Sequence, residues 1–140
     1  MNHTVRIRVD FSAGGSIGPG KVALLEGIHR TGSLRQAARE LRMSYRRAWL
    51  LVDEINRSFL TPATTATVGG AGGGGAALTP FGEELIRRFR RLERAIQSLS
   101  REALAPITAQ VRSAPPAKAR STSSAQRRRL SRTASSGRAD

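Results

Sequence analysis

The chain has 140 residues, a formal net charge of +14, no cysteine and only two histidines. This length fits one domain with a single core, and the missing cysteines exclude disulfides, zinc fingers and thiol chemistry. His3 and His29 alone cannot build a metal site, so neither metal nor cofactor is expected. So large an excess of cations points to a polyanionic partner, nucleic acid before membrane. Residues 1–104 hold 16 Lys and Arg against 9 Asp and Glu, and residues 105–140 hold 8 against 1, so half of the excess sits in the last quarter. No apolar run reaches the roughly 18 residues of a membrane span, and MNHTVRIRVD carries no apolar signal segment; a soluble protein of the cytoplasm, at the nucleoid, is expected.

Residues 4–11, TVRIRVDF, alternate Val5, Ile7, Val9 and Phe11 with Arg6, Arg8 and Asp10, the period of a half-buried strand. SAGGSIGPG then reads as a loop. Pro19 suits the first position of a helix running to about Arg30, with Val22, Leu25 and Ile28 as its inner stripe and Leu24 at the edge. His29 is an ordinary surface or boundary residue on it. Thr31-Gly32 ends the helix, and Ser33 caps the next, where Leu34, Ala37, Ala38 and Leu41 recur at helical spacing and Arg35, Gln36 and Arg39 face out. Ser44 caps a third helix. At about 100° per residue, Ala48, Leu51, Val52, Ile55 and Phe59 share one face of it, and Arg46, Leu50, Asp53 and Arg57 the opposite one. Trp49, at the edge of the inner face, is expected to fill the core. Two short helices around a tight turn, with small residues where they cross, read as a helix-turn-helix, which places the start of its second helix in the DNA major groove. That start is Tyr45, Arg46 and Arg47.

After Phe59, LTPATTATV and Ala77-Leu78 flank a glycine-rich run, and the two strand-like pieces predict a hairpin in the place of a wing. A phosphate-cradling loop would need a Gly-Lys-Ser/Thr sequel, which is absent; a flexible linker has the same composition. Thr79 caps a last helix with Pro80 at its first position and Glu83 and Glu84 near its positive end. Phe81, Leu85, Phe89, Leu92, Ile96, Leu99 and Ala103 recur at spacings of four and three, close to a heptad seam. The predicted helix, 79–104, is longer than a small domain needs. Phe81 to Phe89 are expected inside the domain and Leu92, Ile96, Leu99 and Ala103 in a dimer. From Ala105 periodicity is lost among Ala, Ser, Pro and Arg, which predicts a disordered basic tail over 105–140 that either adds sequence-independent DNA affinity or only aids solubility. The fold expected is mainly α with a small β-hairpin: a winged helix-turn-helix domain over 1–104, including a long C-terminal dimerisation helix, followed by the tail.

GSLRQAARELRMSYRRAW followed by VDEIN, then GGAGGGGAALT and the helix start LTPFGEEL, resemble the N-terminal DNA-binding domain of the ModE family of molybdate-responsive regulators over about residues 4–104. The helix-turn-helix and the LTPxGEEL start are shared with LysR-type regulators; the SYRRAW run together with the glycine-rich segment is more particular to ModE-like proteins. The resemblance implies a bacterial transcriptional regulator, a winged helix-turn-helix homodimer joined through its long helix on a palindromic operator in double-stranded DNA. Where the family places molybdate-binding domains, this sequence has the basic tail, so no molybdate binding is expected in this chain. Family wings also carry basic residues, whereas residues 60–81 have no charge, which leaves backbone N–H groups and the hydroxyls of Thr64, Thr65 and Thr67 to meet phosphate. Leu50 stands where the family has a polar residue, to touch a thymine methyl or to pack.

Arg46 faces away from the core and is the candidate for guanine recognition, Arg47 for a phosphate, and Ser33, Gln36, Ser44 and Tyr45 for contacts that fix register, with Arg35 a further candidate DNA contact. Two other readings use the same sequence: a nucleoid-associated protein that coats DNA mainly through its tail, and an adaptor that pairs with a full-length regulator. An enzyme is not expected, because Ser, His and acids form no nucleophilic or acid/base set.

Overall fold

A computed structural model describes residues 2–68 and 75–113. The glycine tip at 69–74 and residues 114–140, most of the expected tail, lie outside the described residues. The chain divides into a unit of residues 1–109 and a remainder of residues 110–140. Within the first unit the order is β1 (Val9–Asp10), β2 (Ser16–Ile17), α1 (Pro19–Thr31), α2 (Leu34–Glu40), α3 (Tyr45–Ser58), β3 (Thr64–Thr67), β4 (Gly75–Leu78) and α4 (Pro80–Thr108). It is mainly helical with two small antiparallel hairpins, β1–β2 and β3–β4.

Helix α1 is the axis of the core, because its residues enter every apolar cluster. Leu24 and Ile28 pack with Leu34, Ala37 and Ala38 of α2 and Ala48 of α3. Val22 meets Ile17 and Phe89, and Leu25 meets Ile55 and Ala63. Leu24, predicted at the edge, is fully buried like Val22 and Leu25. The helix ends at Gly32, whose φ of 69° is the left-handed conformation that glycine takes without steric cost. The predicted caps hold their helices: the hydroxyls of Ser33, Ser44 and Thr79 accept from the backbone N–H groups of Gln36, Arg47 and Gly82.

Three expectations are corrected. The predicted strand 4–11 pairs only at Val9–Asp10, with Ser16–Ile17, a stretch read as loop. Upstream, the chain keeps the predicted alternation of half-buried and exposed residues, but its partner is a side chain of α4. The Val5 N–H donates to Gln97 Oε1 at 2.7 Å and Gln97 Nε2 donates to the His3 carbonyl at 2.9 Å. A side chain satisfies the backbone here, so no ladder forms. Helix α4 runs to Thr108, four residues beyond the expected end and into the stretch read as tail; Pro106 is tolerated because it lies in the final turn, where it removes a single bond. Trp49 is not core. It is 51% exposed, because Ala37, Ala38 and Ala48 close the α2–α3 crossing with small side chains and Trp49 stands about 100° round the helix from Ala48.

Candidate nucleic-acid interface

Helices α2 and α3 are joined by a turn built on Arg42, the one non-glycine among the described residues with positive φ, at 56°. The Met43 N–H reaches the Ala38 carbonyl at 3.0 Å and the Arg42 N–H the Arg39 carbonyl at 3.2 Å, which closes the end of α2 and aims α3. The side of α3 away from the core exposes Tyr45, Arg46, Arg47, Trp49 and Leu50. Arg35, from α2, lays its guanidinium 4.5 Å from the centre of the Tyr45 ring, so two predicted contact residues form one unit.

The arginines of this surface contrast with the ion-paired ones, although Arg6, Arg87, Arg91, Arg94, Arg101 and Arg112 also have no acidic partner among the described residues. Among the described residues Arg35, Arg39, Arg42, Arg46 and Arg47 form no ion pair with an acid; Glu40, the acid closest in sequence to the turn, is held by Arg30. Elsewhere pairs are frequent: Arg8 with Asp10, Lys21 with Glu54, Arg57 with Asp53, Arg88 with Glu84. Arg90 joins α4 to α1 by bonding Glu26, and also bonds Glu93 on its own helix at 2.6 Å. The hydrogen bonds to Glu26 raise the Arg90 pKa most, burial works against them, and Glu93 adds to the rise.

The β3–β4 hairpin is fixed to both helices. Its register sets Thr67 opposite Gly75, and Gly75 also bridges to Ser33, so the predicted residues Thr67 and Ser33 meet across one strand position. Asn56 of α3 accepts from the N–H groups of Ala63 at 2.8 Å and Thr64 at 3.3 Å, and donates to the Thr64 hydroxyl at 3.1 Å. Thr64 is therefore buried and spent on this clamp rather than offered to phosphate, which corrects one expectation; Thr65 and Thr67 remain exposed. Asn56 was missed in the sequence because nothing local marks an amide whose partners lie seven and eight residues on. At the base of the hairpin Gly82 packs so closely under the Ala63 carbonyl that a Cβ would overlap its oxygen.

Leu92 and Leu99 on α4 are 41% and 65% exposed, and Leu104 and Ile107 continue the uncovered apolar stripe; Ala103 is also exposed and Ile96 half-buried. Among the described residues no group of three or more His, Cys, Asp or Glu could hold a metal ion, and no helix is long and apolar enough to cross a membrane.

No protein-family model matches the chain. It is 45% identical over 86 residues to the molybdenum-pterin-binding protein MopB of Rhodobacter capsulatus, a match covering 61% of this chain and 32% of that protein. Identity to the molybdenum transport protein ModE of Azotobacter vinelandii is 34% over 93 residues, covering 66% of this chain and 34% of the relative. The DNA-binding transcriptional dual regulator ModE of Escherichia coli strain K12 is 33% identical over 93 residues, 64% of this chain and 36% of its own length. The chain spans about a third of the length of these ModE and Mop relatives.

Proposed function

We propose that this chain is a sequence-specific, DNA-binding transcriptional regulator of the ModE type and has no enzymatic activity. In this reading α2 and α3 form the helix-turn-helix, α3 enters the major groove, and β3–β4 is the wing. Arg46 pairs with a guanine edge; Arg47 and the Ser33, Gln36 and Ser44 side chains hold phosphates; the Arg35–Tyr45 unit fixes register; Leu50 meets a thymine methyl; and Thr67 approaches the backbone from the wing. The single observation that carries the reading is the set of arginines around the α2–α3 turn without an acidic partner among the described residues, on the face opposite the core. A ModE relative whose name specifies DNA-binding transcriptional regulation supports it.

The uncovered stripe Leu92, Ile96, Leu99 and Ala103 supports a homodimer through α4 on a palindromic operator. This stretch has the DNA-reading role alone and takes no molybdate. The test is selection from genomic fragments at about 150 mM salt by the full chain and by a form ending at residue 109. The expected result is one palindromic site, with half-sites about one helical turn apart, recovered by both. Uniform recovery that disappears on truncation would instead give the binding to residues 110–140 and overturn the reading.

A further inference from the structure

We propose that Arg42 is a phosphate-contacting residue of the DNA interface, kept at the α2–α3 turn against the preference of its own backbone. The inference rests on the DNA-binding reading above and deepens it. Arg42 occupies the position after the helix end where glycine is usual, because a side chain in the left-handed region crowds the backbone. Its backbone N–H closes α2, a task that glycine would perform equally well without strain.

What the side chain adds within the fold is little. It is exposed, and among the described residues it makes no hydrogen bond, ion pair or aromatic contact. Of its charged neighbours in sequence, Arg39, Arg46 and Arg47 have the same sign and are likewise exposed and without an acidic partner among the described residues, while the one acid, Glu40, is held by Arg30. Four guanidiniums within nine residues, against the single carboxylate of Glu40, leave a positive potential at the turn that favours an external anion. A guanidinium fork matches a phosphate well. Because Arg42 precedes α3, it lies outside the first helical turn that addresses base edges, so its contact falls on the backbone and is independent of sequence.

The experiment compares wild type with Arg42→Gly, Arg42→Ala and Arg42→Lys as full chains. It measures urea unfolding and binding to two duplexes, a fragment selected from genomic DNA and an unrelated one, over a series of salt concentrations. Expected for Arg42→Gly is a higher urea midpoint, with a gain on the order of tenfold in the folding constant. Its affinity should fall by a similar factor on both duplexes, with the salt slope reduced by about one. Arg42→Ala should lose the same affinity without the gain in stability, and Arg42→Lys should keep most of the binding and the slope. Unchanged affinity and slope in both Arg42→Gly and Arg42→Ala, while wild type binds DNA, would overturn the role of Arg42 alone. A loss confined to the selected duplex would overturn the phosphate contact in favour of base reading. Failure of wild type to bind either duplex would remove the DNA-binding reading and this inference with it.

Discussion

Residues 35–47 and residues 87–94 carry five arginines each, and they use them differently. On α4, Arg88 is tied to Glu84, and Arg90 to Glu26 and Glu93, while Arg87, Arg91 and Arg94 have no acidic partner among the described residues, so two of the five are spent within the fold, on the helix surface and on the contact with α1. Around the α2–α3 turn no arginine has an acidic partner among the described residues, and one stacks on Tyr45. Equal positive charge therefore marks equal capacity, and the location of the acids decides how much of each set is spent within the fold: two of five on α4, none of five at the turn. Composition alone does not make this distinction.

The largest effect is expected from the seam of α4. Leu92→Glu combined with Leu99→Glu should halve the mass seen by light scattering and lower operator affinity about 100-fold or more, since two half-sites would no longer be held together. A double variant that remains dimeric would move the seam elsewhere. Next, Arg46→Ala should cost about 1–3 kcal/mol of binding, roughly 5- to 150-fold, on the operator and much less on unrelated DNA. Its unfolding free energy from urea titration should stay within about 0.5 kcal/mol of wild type.

Arg90→Ala should show the reverse pattern, a stability loss of up to about 1 kcal/mol, because the site is partly solvated, with DNA affinity unchanged. If Arg90→Ala weakened binding as much as Arg46→Ala does, the contrast between the two arginine sets would collapse. On the arginine side, the raised pKa means that this contribution is fully present below the unfolded-state value and is lost only as pH rises through the still higher folded one, so neutral and mildly alkaline titrations should leave it constant. Smallest of all is the expected effect of molybdate. Adding it to an operator titration should leave the affinity unchanged, and a shift would place an oxyanion site within this chain.

The helices were legible because their signals are local. Ser33, Ser44 and Thr79 sit one residue before helices they cap, and Val22, Leu25, Ile28 and Phe89 repeat at the period of the face they bury. What was not legible depends on partners far along the chain. Gln97 takes the place of a neighbouring strand for Val5, 92 residues away, and Asn56 fastens the predicted hairpin through partners that its own surroundings do not announce. The place of Trp49 depends on the geometry of the crossing, where three alanines leave no space for it, and not on its size. Arg42 gave no signal at all, since an arginine in a polar turn is unremarkable until its φ is known.

The Asn56 clamp has a consequence for how such a protein can vary. Because one amide holds Ala63 and Thr64 to α3, the base of the hairpin is fastened to α3 by bonds that do not involve the sequence at the far end. On the proposed DNA-binding reading, the Asn56 clamp and the α3 side chains are separate sets of residues, so the attachment of the hairpin and the choice of bases can vary independently.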